Sequence, residues 1–174
     1  VAVGLRRLGV PTTLIAMVGD DEAGDHIREY LDDHGVRLIA GEAPHGSSRA
    51  IVERSASGEP QYVFNEAAQN RSIRYSDDAR RAIAEAALVA VSCFPFDEAD
   101  EVEALAEVVD GTRLAIDPNP RAGMLRDAEA FVRGFERIAA SAALVKVGAD
   151  DAALLDDGDL DALRSRLRDS GVAA

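Results

Sequence analysis

Residues 1–25 read VAVGLRRLGVPTTLIAMVGDDEAGD. Six residues separate Ala2 from Gly9, and nine separate Gly9 from Gly19. The stretch predicts the end of a helix, a glycine stop at Gly9, a buried strand over Thr12–Val18, and a Gly19-Asp20-Asp21 turn into a second helix. This is a βαβ-type unit with an acidic turn at the carboxyl end of a strand.

The same alternation continues along the chain. The second helix places Ala23, Ile27, Tyr30, Leu31 and His34 on one face, with Gly35 as its stop. Leu88–Ser92 is a nearly continuous apolar strand. A helix over Glu98–Val109 carries Val102, Leu105, Ala106 and Val109, with Asp97 as its N-cap. Leu114–Ile116 is a strand. Phe131, Phe135 and Ile138 recur at helical spacing. Leu144–Val147 is a strand with a short helix after it, and Asp159 caps a last helix carrying Leu160, Leu163 and Leu167. Unalternating strands separated by amphipathic helices predict a parallel sheet covered on both faces.

One stretch breaks this rhythm. Val36 to Asn65 has no helical period but three β-like runs, Val36–Ala40, Arg49–Arg54 and Gln61–Phe64, parted by turn-rich EAPHGSS and SASGEP. It predicts a small inserted antiparallel sheet, either a lid over a site or an edge decoration.

Composition narrows the classes. The 174 residues are 47% hydrophobic, enough for one domain with a real core. The net charge of −13 would repel phosphate backbones, so nucleic acid is not an expected partner. There is no run of about 18 apolar residues, so no membrane span is expected. Cys93 is the single cysteine, which fits a reducing cytoplasm and reads as a small core residue. His26, His34 and His45 lack metal-ligand spacing. The DDGDLD run at 156–161 lacks the Gly and Glu positions of a calcium loop and reads as a solvated turn. Neither a GxGxxG fingerprint nor a P-loop is present.

Ligands of open parallel sheets lie beyond the carboxyl ends of the strands. Four such ends carry polar chemistry: Gly19-Asp20-Asp21, Ser92-Cys93, Asp117-Pro118-Asn119-Pro120-Arg121, and Lys146-Val147-Gly148 with Asp150 and Asp151. Cations for phosphate oxygens beside carboxylates for magnesium suit phosphoryl transfer. Structural alternatives stand beside each. Asp20 and Asp21 are natural N-caps, Asp150 and Asp151 can simply begin a helix, and Lys146 can snorkel from an edge strand. The two prolines stiffen the DPNPR turn. Arg121 is the residue that a turn does not need.

These features resemble the ribokinase-like (pfkB) carbohydrate kinases over nearly the whole chain. The glycine spacing of the opening resembles their amino-terminal signature. DPNPR resembles the DxNxR stretch of the fructokinase and 2-keto-3-deoxygluconate kinase branch, and LVKVGADDAALL at 144–155 resembles their K-x-N-x-x-E segment. The resemblance implies a Rossmann-like α/β/α sandwich with a mostly parallel sheet, incomplete here, with its core at 1–35 and 66–174 and a β lid at 36–65. It implies ATP and Mg2+ as cofactors and a small-molecule sugar as substrate. Asn119 and Arg121 would contact ATP phosphates or the acid end of a sugar, and Lys146 would lie near the phosphates. Asp151 stands where the family has a Glu that organises magnesium through water, and Gly148 where many members have Asn. Gly19 and Asp20 would flank the sugar site. Tyr62, Phe64 and Asn65 are lid candidates, with an inward core role as the alternative for the two aromatics. Glu66 argues against a carboxylate-bearing substrate. Relatives often dimerise by pairing lid sheets, which adds a homodimer to the expectations.

The resemblance places no catalytic residue in this chain. The family's base is an Asp in a late Gly-Ala-Gly-Asp segment, and none precedes Ala174. The family's sugar-binding Asp, Gly-Gly and Asn would lie before Val1. The expectation is the middle of a longer cytoplasmic kinase that phosphorylates a sugar hydroxyl. The alternative is a non-catalytic sugar- or nucleotide-binding α/β module, a degenerate kinase or regulatory domain.

Overall fold

The computed structural model describes residues 1–54, 60–155 and 158–172. Most of the predicted SASGEP turn and the Asp156–Asp157 start of the DDGDLD run lie outside the described residues. The chain divides into two compact units, 1–82 and 83–174.

The first unit opens as its sequence predicts. Helix α1 (Ala2–Arg7) ends at Gly9, whose φ of 80° is the left-handed stop expected of glycine. Strand β1 (Thr13–Met17) leads into α2 (Glu22–Asp33), which Gly35 ends with φ 64°. Leu31 is buried, whereas Tyr30 is exposed. β2 (Arg37–Gly41) pairs parallel with β1, from Thr13↔Arg37 to Met17↔Gly41. The first of the three β-like runs is therefore a core strand and not part of an antiparallel insert. The α2 crossover between β1 and β2 accounts for the parallel pairing. Only β3 (Ala50–Arg54) and β4 (Pro60–Phe64) pair antiparallel, with Ala50↔Phe64 and Val52↔Tyr62 in register. A single turn, α3 (Glu66–Gln69), follows, and then α4 (Asp77–Ala84).

At the β1–α2 turn, Asp21 is the N-cap and accepts from the Gly24 N–H at 2.8 Å. The same carboxylate accepts from the backbone N–H and the hydroxyl of Ser47, both at 2.8 Å. These bonds, that from the Ser47 N–H foremost, hold the Asp21 carboxyl at a pKa of about 2 against an ordinary 3.8.

The second unit is a three-stranded parallel sheet in the order β5 (Val89–Ser92), β6 (Leu114–Asp117), β7 (Leu144–Val145). Helix α5 (Ala99–Val109) joins β5 to β6, and α6 (Ala128–Ala139) joins β6 to β7. α7 (Ala149–Leu155) and α8 (Leu160–Asp169) complete it. The core gathers on Phe96, whose ring centroid lies 5.4 Å from Phe131 and 5.7 Å from Phe135, both edge-on. Leu114 and Ile116 of β6, Val102, Leu105 and Val109 of α5, and Ile138 of α6 are buried with it.

Three expectations need correction here. β5 alternates half-buried Val89 and Val91 with exposed Ala90 and Ser92, because it is an edge of this sheet. β7 ends at Val145 and not at Val147. Asp97 does not cap α5. It accepts from the Arg126 N–H at 2.8 Å, and Glu98 holds the same arginine's guanidinium, so Glu98 is an N-cap without a side-chain bond. Asp159 does cap α8, accepting from the Ala162 N–H.

A Cβ on Gly134 of α6 would lie 2.1 Å from the Phe96 carbonyl oxygen. Helix propensity alone favours Gly134→Ala by about 1 kcal/mol, but such an overlap costs roughly 1–3 kcal/mol or more. Urea unfolding of Gly134→Ala should therefore show a net loss of stability, and a gain would refute this packing. Asp21 has a lowered pKa in the folded state. It stabilises fully above pH 3.8 and loses that contribution as pH falls toward 2. The stability difference between wild type and Asp21→Asn should shrink across that window. A difference independent of pH would show that the carboxylate charge is not what Ser47 and Gly24 hold.

Candidate functional site

The carboxyl ends of β6 and β7 bring together four of the residues expected to bind phosphate or metal. The register Ile116↔Val145 sets the two strand ends side by side, and the Lys146 N–H donates to the Ile116 carbonyl at 2.9 Å. The Lys146 ammonium then stands 3.3 Å from Asp117 Oδ1 and 3.8 Å from Asp151 Oδ2. Arg121 Nη1 lies 3.9 Å from Asp151 Oδ1. Asn119, Arg121, Lys146, Gly148, Ala149, Asp150 and Asp151 line a cavity of about 220 Å³.

Asp151 is buried, with 4% of its surface accessible. Its Oδ2 accepts from the Gly148 N–H at 2.9 Å, while the Gly148 carbonyl accepts from the Ala152 N–H at 3.0 Å. Asp151 thus makes the reciprocal half of a capping box at the start of α7. The helix-start and ligand readings of Asp151 meet in one group: one oxygen caps, and both oxygens face a cation.

Arg121 and Lys146 are 46% and 60% exposed as side chains. The Lys146–Asp117 pair, with neither partner buried, contributes at most about 1 kcal/mol. Neither cation is committed to holding the fold, and both can turn to an anionic ligand at small cost. Arg121, Lys146, Asp117 and Asp151 cancel in formal charge, and the exposed Asp150 adds one negative charge. A polyphosphate arriving here needs a further positive charge. Among the described residues no group of three or more His, Cys, Asp or Glu is placed to hold a metal. A divalent cation fits as one carried mainly by phosphate oxygens, with Asp117 and Asp151 as carboxylates for its waters.

Cys93 reads as a core residue in the sequence. It is half-buried, and its φ of 52° is left-handed. Asn119 has φ 42°, and among the described residues these two are the non-glycines with positive φ. They follow the paired strands β5 and β6 and touch each other: the Asn119 amide donates to Cys93 Sγ, which lies 3.7 Å from the Asn119 carbonyl oxygen. Left-handed conformations of such residues cost roughly 1 kcal/mol or more and gather at functional sites. The Ser92-Cys93-Phe94-Pro95 strand end was the available signal.

The remaining candidates belong to the first unit. Asp20 is exposed, whereas Gly19 is buried with its N–H donating to Ser47 Oγ at 3.2 Å. Tyr62 is 57% exposed and Phe64 half-buried, their rings stacked 6.4 Å apart, so Tyr62 is not a core residue. Asn65 is spent on structure: its oxygen accepts from the Arg49 and Ala68 N–H groups, and its amide donates to the Ser47 carbonyl. A larger cavity of about 350 Å³ opens at the other end of β6, between Asp110–Thr112 and Arg137–Ser141. There Thr112 and Ser141 bond neighbouring carbonyls and Arg137 pairs with Glu103.

Comparison with known proteins places the chain in a family. The pfkB family of carbohydrate kinases matches residues 1–166. A fructokinase of Rhizobium leguminosarum bv. trifolii is 29% identical over 180 residues, covering 98% of this chain and 54% of that protein. The crystal structure of a PfkB protein from Polaromonas sp. JS666 superposes with a TM-score of 0.76 at 17% identity, over 98% of this chain and 61% of that one. A fructokinase from Xylella fastidiosa, crystallised with bound ATP, gives 0.77 at 21% identity, over 97% and 56%. The chain spans about half the length of the curated relative it matches. The fold is the ribokinase-like α/β fold with mostly parallel strands. With a family match over nearly its whole length, the chain belongs to the pfkB family of carbohydrate kinases.

Proposed function

We propose that this chain is part of an ATP-dependent sugar kinase, and that the β6–β7 cavity receives the phosphates of magnesium-bound ATP. The observation that carries the reading is the cluster of Asn119, Arg121 and Lys146 over the buried Asp151. A sugar hydroxyl oxygen would form a bond to the γ-phosphorus as the bond to the β–γ bridging oxygen breaks. The hydroxyl proton would pass to a base other than the residues named here. Arg121 and Lys146 would offset charge on the phosphate oxygens, and Asp117 and Asp151 are the carboxylates that would hold the hydrated Mg2+. The ATP-bound fructokinase of similar fold supports ATP as the phosphoryl donor. An ATP requirement and a single cysteine fit a cytoplasmic enzyme. Tyr62, on the exposed hairpin, is the lid residue this reading sets toward the sugar, and Gly19 and Asp20 would border the sugar site.

A screen of the intact protein with MgATP across ketoses, pentoses, sugar acids and nucleosides tests the reading. One acceptor class should be phosphorylated. Nucleotide binding without turnover on any acceptor would favour a non-catalytic module. Arg121→Ala should raise the ATP KM or lower kcat by about tenfold or more, as the loss of one charge-assisted contact does. Its Tm should shift by a few degrees at most, since the guanidinium is 46% exposed and stands 3.9 Å from Asp151. Unchanged kinetics would reduce Arg121 to a turn residue. The exposed Ile51, Val52, Tyr62 and Val63 also fit a homodimer through the hairpin. Sedimentation of the intact protein should give twice the monomer mass, and a monomer at micromolar concentration would remove the dimer.

A further inference from the structure

Strand β3 buries little of itself, and much of β4 that is described is exposed. Every residue of β3 is exposed, as are Tyr62 and Val63 of β4. A two-stranded hairpin has marginal stability of its own, so its position must be set at its roots. Those roots are Ser47, three residues before β3, and Asn65, the residue after β4.

Ser47 is 3% exposed and fully engaged. Its N–H and hydroxyl both donate to Asp21, its Oγ accepts from the Gly19 N–H, and its carbonyl accepts from Asn65 Nδ2 at 3.0 Å. Asn65 in turn ties the Arg49 N–H to the first turn of α3 through the Ala68 N–H. The seat excludes side chains: a Cβ on Gly19 would lie 2.4 Å from the Ser47 nitrogen, and one on Gly24 1.9 Å from the Gly19 oxygen. The Asp21 carboxylate therefore ties the N-terminus of α2 to Ser47, and Ser47 in turn bonds the β1–α2 turn at Gly19 and the second root at Asn65.

We propose that Asp21 and Ser47 are positioning residues that fix the angle of the β3–β4 hairpin and, on the kinase reading above, the fit of the sugar. A five-residue strand is about 17 Å long, so a tilt of about 10° at the root moves the far end by about 3 Å. Displacements of that size matter to substrate alignment. Asp21→Asn separates this role from helix capping. Asparagine keeps an oxygen for the Gly24 N–H and remains a good N-cap. Its amide instead presents a donor to the Ser47 N–H, where Asp21 Oδ2 had accepted. Ser47→Ala is the milder break, since the Ser47 N–H can still bond Asp21.

The test compares hydrogen exchange and kinetics of wild type, Asp21→Asn and Ser47→Ala in the intact protein. In Asp21→Asn, exchange of the paired β3–β4 amides should quicken about tenfold while α2 holds. The sugar KM should rise about tenfold, with kcat and the ATP KM within about twofold. Ser47→Ala should move the same quantities less, and it carries the test alone should Asp21→Asn not fold. Unaltered hairpin exchange, or equal shifts in both substrates' KM, would overturn the proposal. A wild type that phosphorylates no sugar would sink the kinase reading instead, and the exchange comparison alone would then decide the clasp.

Discussion

The hydrogen bond from the Lys146 N–H to the Ile116 carbonyl, at 2.9 Å, is the last rung of the β6–β7 ladder, and the candidate site begins where it ends. Parallel pairing of these strands forces a helical crossover between them. It therefore brings two chain segments far apart in sequence to one edge, both leaving their strands in the same direction. Asp117 leaves β6 and Lys146 leaves β7 at adjacent points. Asp151 comes back one helical turn later, through its bond to the Gly148 N–H. A cation between two carboxylates, with Arg121 beside them, is the direct result of that register.

Much of this was legible in the sequence. Gly9 and Gly35 punctuate helices because only glycine adopts their φ freely. The helical spacing of Phe131, Phe135 and Ile138 marks a buried face, and all three are buried. Placing ligand chemistry at strand ends found Asn119, Arg121, Lys146 and Asp151, which line one cavity. Pairing was not legible. The composition of Val36–Ala40 suits a strand in either direction, and it is the crossover through α2 that makes β2 parallel. Residues with two credible roles were also hidden. Asn65 reads as a lid candidate, and its side chain bonds Arg49, Ala68 and Ser47, a role the sequence does not display. Cys93 reads as core until its left-handed φ and its contact with Asn119 are seen.

The two units use carboxylates in different ways. Asp21 is fully bonded, which depresses its pKa and makes it a fixture of the turn. Asp151 has one oxygen bound to a backbone N–H and both within reach of cations on exposed side chains. Full satisfaction suits a residue that positions. Partial and exchangeable satisfaction suits one that meets a ligand. The charges of Arg121, Lys146, Asp117 and Asp151 cancel, and Asp150 adds one negative charge at the β6–β7 end.

An isotope-labelled titration of the intact protein with MgATP tests the assignment of the phosphate site most directly. Amide resonances of Asn119, Arg121 and Gly148 should shift first and saturate together. Shifts centred on the Asp110–Thr112 cavity, or none at all, would contradict it.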